Sequence, residues 1–351
     1  MKDLVIGGYK VNYGNPPFVI AEAGVNHSGD FDLAIKLIDA ASNAGADAVK
    51  FQTFRAEQVV TGAGKMADYQ KKNIGAEESQ LEMLRKLELK EDWYQALIKL
   101  AKEKNIIFIS TPHGGKESVD LLQSYNVPAF KFGSGDLTNL PLLEYAAKFG
   151  KPMLISTGMS NLEETKEAVE TIKGAGNDQI LVFHCTTDYP LAPENVNLSA
   201  MQTLMKELGA LVGYSDHTVG PQAAIAAVAL GACMIEKHFT LDRKMNGPDH
   251  IASTEPKEFK EMVAMVKQVP LMMGSGTKEL LPAERQYVTV ARKSIVAARD
   301  IKKGEKFTSE NLDIKRPGTG MLPKYLNKII GKTAKSDIPA ETLISEEMFS
   351  N

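Results

Sequence analysis

Six histidines, His27, His113, His184, His217, His238 and His250, all fall inside or just beyond the C-terminal ends of short apolar runs. Imidazole near neutral pH can hold a metal or pass a proton, so this bias points to one shared site. His217, in GYSDHT, and His238, in MIEKHF, end two successive runs. If those runs are neighbouring parallel strands, both rings can reach one divalent cation. Glu236 shares a face with His238 by the two-residue period of a strand, and would orient it or bind through water. The rival reading is a pair of core histidines satisfied by hydrogen bonds.

Lys50 and Gln52, in VKFQTF, and Lys131, in FKFGSGD, share the strand phase that faces a sheet interior. A lysine there has no solvated face to occupy, so it needs an anion or a role as a Schiff base. Thr111, Ser134, Ser156 and Ser215 also stand at run ends, where hydroxyls donate to phosphate or carboxylate oxygens without adding charge. Any one of these hydroxyls is ordinary as a strand-end cap. Two inward lysines with four such donors describe a small, doubly anionic ligand.

Eight apolar, β-branched runs carry these residues, starting at positions 18, 48, 106, 129, 152, 180, 210 and 233. The intervals between them read as helices. In the first, Ala34, Leu37, Ile38 and Ala41 follow a helical period, with Asp30 placed to cap and Gly45 to terminate. Gly220-Pro221 opens the helix before the last run. Parallel strands buried on both faces read as continuous apolar runs, so eight strand–helix repeats predict an α/β fold of the (β/α)8 TIM-barrel type. An open doubly wound sheet is the competitor, but it would spread the polar run ends along an edge; a barrel gathers them at one mouth. The interval after the second run carries about 30 surplus residues from Arg55, read as a lid or interface element.

The chain has 351 residues, 43% hydrophobic and 24% charged, with a formal charge of -3. That composition supports a sizeable core and gives no global field favouring nucleic acid or an anionic membrane. Cys185 and Cys233 sit in apolar runs without metal or disulfide spacing and read as buried thiols in a reducing compartment. No secretion signal is recognised, and the longest apolar run, residues 223–235, is too short to cross a bilayer. A cytoplasmic protein is expected. The barrel is assigned to residues 1–269, a linker to 270–289 and a small β-rich domain to 290–351, where DIKKGE at 300 is weakly echoed by DIPAE at 337. The last part carries +4 and the rest -7, which favours docking of one on the other.

The strings AEAGVNHSGD, VKFQTF, STP, FKFGSGD, ISTGM, HCTTDYP, GYSDHT, EKHFTLDRKMNGPDH, ARKSIVA and IKRPGTG occur in this order along almost the whole chain. In them the chain resembles the bacterial sialic acid synthase family. The resemblance implies a (β/α)8 barrel followed by a small C-terminal antifreeze-like (SAF) domain. It implies condensation of phosphoenolpyruvate with N-acetylmannosamine and water to N-acetylneuraminate and phosphate, with a divalent ion, Mn²⁺ or Mg²⁺. On that basis His217 and His238 would hold the metal. Lys50, Thr111, Lys131, Ser134, Ser156, Thr187 and Ser215 would hold phosphoenolpyruvate, and Glu22 would be the acid/base. Gln52, Asp136, Tyr189 and Asp249 would contact the sugar. Arg316 would reach the N-acyl group from the second domain of a partner in a domain-swapped homodimer.

Thr187 stands where some family members have Asn, and Asp136 where many have Glu. Both changes bear on sugar preference more than on the reaction. Legionaminic acid synthase, which uses 2,4-diacetamido-2,4,6-trideoxymannose, is the alternative among enzymes. A non-catalytic sugar- or ice-binding protein is the alternative outside them, and retention of both histidines and both lysines argues against it.

Overall fold

A computed structural model describes residues 3–61, 64, 66 and 79–350. It contains two compact units, Met1–Gly274 and Ser275–Asn351.

The first unit opens with an antiparallel hairpin of β1 (Leu4–Ile6) and β2 (Tyr9–Val11), turned at Gly7 and Gly8, both with positive φ. Eight strands follow: β3 (Phe18–Gly24), β4 (Ala48–Thr53), β5 (Ile107–Pro112), β6 (Phe130–Phe132), β7 (Met153–Ser156), β8 (Ile180–Cys185), β9 (Leu211–Asp216) and β10 (Met234–His238). They form one parallel sheet in the order β5-β4-β3-β10-β9-β8-β7-β6, and β5 and β6 lie side by side, so the ring is nearly closed. All eight runs read from the sequence are strands of the barrel.

Strand alternation divides the apolar residues between two cores. Val19, Val49, Phe108, Phe130, Ile155, Val182, Val212 and Ile235 face outward and pack under the helices. Ile20, Ala48, Ile109, Ala129, Leu154, Leu181, Leu211 and Met234 face inward, and the hairpin residues Leu4, Ile6 and Val11 join them. The hairpin therefore adds to the inner core rather than to the helical layer. Continuing the inward phase toward each C-terminus leads to Glu22, Lys50, Gln52, Thr111, Lys131, Ser156, Cys185, Ser215, Glu236 and His238.

The helices form where their signals stand. Phe31–Asn43 is capped by Asp30, whose carboxylate accepts from Asp32 N at 2.7 Å and Leu33 N at 3.1 Å, and its buried stripe is Ala34, Leu37, Ile38 and Ala41. Gly45 takes a positive φ just after it. In the long insertion, Ala56–Val59 and Gln80–Lys86 are helical, while 62, 63, 65 and 67–78 lie outside the described residues.

The last barrel helix runs from Pro256 to Met273, four residues into the segment assigned as linker. Pro270 has no N–H to give to Val266 O, and only three residues follow it before the helix ends. Arg285–Ala291, read as the end of a linker, is also helical.

The second unit pairs β11 (Ser294–Ala297) with β12 (Leu312–Lys315), and β13 (Thr333–Ala334) with β14 (Phe349–Ser350). The two echoed segments face each other: Ile301 N donates to Ile338 O, and Ile338 N to Ile301 O, both at 2.8 Å. Ile295, Ile301, Phe307, Ile338, Ile344 and Phe349 belong to a small core of its own.

Candidate active site

A cavity of about 220 Å³ opens at the C-terminal mouth of the barrel. Its floor is an alternating set of four buried charges. Lys50 Nζ lies 2.7 Å from Glu22 Oε2 and 3.9 Å from Glu236 Oε2, and Lys131 Nζ lies 3.3 Å from Glu236 Oε1. None of the four is more than 5% exposed. Burial of so much charge is tolerable only because each member faces an opposite one and finds hydrogen bonds. Lys50 also donates to Thr111 Oγ1 at 2.9 Å, Lys131 to Ser156 Oγ at 2.7 Å, and Ser215 Oγ to Glu236 Oε1 at 3.3 Å.

The two carboxylates are driven apart. Burial raises Glu22, and the like charge of Glu236 adds to this, against the pull of Lys50. Burial acts the same way on Glu236, but Lys131 and Lys50 together outweigh it and hold that group below the usual carboxylate range. Unequal neighbours of this kind separate a proton carrier from a fixed anion. Gln52 Nε2 donates to Glu22 Oε1 at 3.3 Å and orients the carrier.

His217 and His238 sit side by side, ring centroids 5.4 Å apart, with the Tyr189 ring 4.1 Å from the first and 5.4 Å from the second. Burial lowers both imidazole pKa values, so both rings are neutral. His217 Nδ1 meets Thr186 O at 2.7 Å, which assigns the proton to Nδ1 and leaves Nε2 its lone pair. Buried His238 Nδ1 has no hydrogen-bond partner, an orphan atom that a ligand would satisfy. Among the described residues no group of three or more His, Cys, Asp or Glu side chains is arranged around a metal. The donor set is thus two imidazoles, and a cation there would complete its shell with substrate oxygens and water.

Of the two roles expected of Glu236, orienting His238 is not seen. Its carboxylate is taken by the lysines and Ser215 instead of orienting His238.

The cavity is also lined by Ser134, Thr187 and Asp249. Ser134 Oγ accepts from Gly158 N at 3.0 Å. Burial, with Glu22 nearby, pushes the Asp249 carboxyl up to about 7.

Asp136 is not part of the wall. Its carboxylate lies 3.3 Å from His113 Nδ1, and it is His113 that faces the cavity. The single turn Ser134–Asp136 rotates Asp136 away from the strand phase. Arg316 is an exposed residue of the second unit.

The fold can be compared with known proteins. The family model of the NeuB family matches residues 37–278, and that of the SAF domain residues 292–350. The chain belongs to the NeuB family. It is 48% identical to an N,N'-diacetyllegionaminic acid synthase of Campylobacter jejuni, across 93% of this chain and 98% of that protein. A second N,N'-diacetyllegionaminic acid synthase, from Legionella pneumophila, is 43% identical across 93% of each chain. The crystal structure of an N-acetylneuraminic acid synthetase from Leptospira borgpetersenii, in complex with citrate, is 32% identical with a TM-score of 0.72, covering 82% of this chain and 95% of that one.

Several residues of this NeuB-family site were not singled out by sequence. Cys185 continues the inward phase of Leu181 and Phe183, a signal that alternation alone supplies. Met83, Leu84 and Leu87, at the end of the insertion, form an apolar part of the wall.

The remaining histidines have structural roles. His184 is one residue out of phase, lies under the helices and contacts Val196 O at 2.8 Å. His250 bridges Thr240 Oγ1 at 2.6 Å and Ser28 Oγ at 3.2 Å. Fully buried His27, lowered to about 4 by burial, accepts from Gly29 N at 3.1 Å.

Proposed function

We propose that this protein condenses phosphoenolpyruvate with an open-chain acylamino sugar and water, forming a nine-carbon acidic sugar and releasing phosphate by C–O cleavage. The observation that carries the reading is the buried Glu22–Lys50–Glu236–Lys131 array beside two neutral imidazoles. The sequence reading put N-acetylneuraminate first among products. The relatives at 48% and 43% identity reverse that order in favour of N,N'-diacetyllegionaminate, with 2,4-diacetamido-2,4,6-trideoxymannose as the sugar.

In this reading Lys50 and Lys131 bind the phosphate and carboxylate of phosphoenolpyruvate, and Thr111, Ser134, Ser156, Thr187 and Ser215 donate to the same oxygens. A divalent cation held by His217 and His238, Mn²⁺ or Mg²⁺, would supply Lewis-acid polarisation of the sugar aldehyde. The enol carbon C3 then bonds to the aldehyde carbon, and water adds at C2. As the C2–O bond to phosphate breaks and the added water oxygen becomes the C2 carbonyl, that water gives up two protons, one to the former aldehyde oxygen and one to the departing phosphate, and Glu22 carries them. Gln52, Tyr189 and Asp249 line the side left for the sugar. Arg316, supplied by a second subunit of a swapped homodimer, is part of the same proposal. Loss of the dimer in sedimentation, or an Arg316→Ala variant with unchanged sugar KM and kcat, would remove that part.

The deciding experiment is mass spectrometry of products from phosphoenolpyruvate with each sugar. The product mass of diacetyllegionaminate is expected from the diacetamido sugar. A product from N-acetylmannosamine alone would restore N-acetylneuraminate, and no condensation with either would overturn the synthase reading.

A further inference from the structure

His217 does not lie in a strand. β9 ends at Asp216, and His217 is the middle residue of the turn Asp216-His217-Thr218. Past the strand, Leu191 N donates to His217 O at 2.9 Å and Leu191 bridges Thr218, so the ring position depends on this turn together with that bridge and the bond of Nδ1 to Thr186 O.

The turn is pinned on the face away from the cavity. Asp216 Oδ1 accepts from Thr218 N at 2.9 Å, from Thr218 Oγ1 at 2.8 Å and from the Tyr214 hydroxyl at 3.3 Å. Asp216 Oδ2 takes Lys237 Nζ at 2.6 Å, and the same ammonium donates to Thr218 O at 2.7 Å. One lysine thus grips both ends of a three-residue turn whose centre is His217. Lys237 is also the residue immediately before His238. Alternation sends Lys237 outward and His238 into the cavity, so a single strand carries the clamp on one face and an imidazole on the other.

Stability alone is a poor reason for this pair. Replacing a buried ion pair by apolar groups is often neutral, and β9 and β10 are already joined through Ile235–Tyr214, Glu236–Ser215 and Lys237–Asp216. What the ammonium adds is a hold on Thr218 O, past the end of that ladder.

We propose that Lys237 and Asp216 are positioning residues for the cation: by tying the 216–218 turn to the residue beside His238, they set the spacing of the two imidazoles and hence the metal affinity. The inference rests on His217 and His238 as the metal ligands. Neither Lys237 nor Asp216 lines the cavity.

The test uses the full chain and the double variant Lys237→Met/Asp216→Asn, which removes both charges and keeps an acceptor for the Thr218 amide. The Mn²⁺ dissociation constant, read from the free-ion paramagnetic resonance signal, is expected to rise about 10- to 100-fold, the usual effect of losing an outer partner of a metal ligand. Phosphoenolpyruvate affinity without metal, measured by calorimetry, is expected to stay unchanged within error. Unaltered Mn²⁺ affinity in a folded double variant would overturn the clamp. If that variant does not fold, Asp216→Asn alone is measured, and an unaltered Mn²⁺ affinity overturns the clamp equally. Absence of Mn²⁺ binding by the unsubstituted protein would instead overturn the histidine site, and the clamp with it.

Discussion

Lys50 Nζ and Glu22 Oε2 meet at 2.7 Å inside the barrel mouth, a lysine and a glutamate from adjacent strands with almost no solvent exposure. The contact gives Lys50 a buried partner of opposite charge and fixes the place of Glu22 at the barrel mouth.

Lys50→Met removes that partner and the bond to Thr111. Charge-assisted contacts are worth about 1.5–3 kcal/mol each, so kcat/KM for phosphoenolpyruvate is expected to fall roughly 100-fold, mainly through KM. Steady-state kinetics check this, and an unchanged KM would confine Lys50 to a structural ion pair.

Chelation is expected to stop phosphate release, and Mn²⁺ to restore it. His217→Ala and His238→Ala should each lose the restoration, since the proposed site has two imidazoles and none to spare. Phosphate release that survives EDTA would refute the assignment.

Asp249 gives a pH signature. Its carboxyl moves from 3.8 to about 7 in the folded chain, so between those values the folded protein holds a proton that the unfolded chain has lost. Its contribution is fully present below 3.8 and is lost as pH rises toward 7. Urea unfolding of metal-free protein from pH 4 to 8 should therefore show stability falling more steeply with pH than in Asp249→Asn. Parallel curves would contradict the shift.

The His113–Asp136 pair stands on the β5–β6 side of the ring, opposite β9 and β10. In the proposed reaction, a sugar whose aldehyde lies at the histidines would extend over the phosphoenolpyruvate-binding residues toward this pair. His113→Phe is expected to raise the sugar KM about 10-fold, as for loss of one hydrogen bond worth ~1.4 kcal/mol, and to leave the phosphoenolpyruvate KM alone. Equal changes in both would count against a sugar contact.

Gly213 is an inner-phase residue with no room for a side chain: a Cβ would lie 2.8 Å from Met234 O and 2.9 Å from the Phe183 ring. Gly213→Ala is expected to cost about 1–3 kcal/mol by overpacking. Unaltered denaturation midpoints would show that the ring yields.

Legibility in the sequence followed strand parity. Lys50, Lys131, Ser156, Ser215 and His238 were found because each continues an apolar run in the inward phase. His184 shows the failure: one residue out of phase, it ends beneath a helix although it stands at a strand end like the others. Asp136 fails differently, because a single helical turn after β6 breaks the alternation and hands the cavity to His113.

The sequence by itself determined the eight strands, the polar character of their ends and the family, because burial on both faces writes itself as continuous apolar runs and alternation is local. Only the tertiary structure decided which charge meets which. Ring closure sets Glu236 between Lys131 and Lys50. These partners come from distant parts of the chain, so their meeting depends on the angle and register of the closed ring.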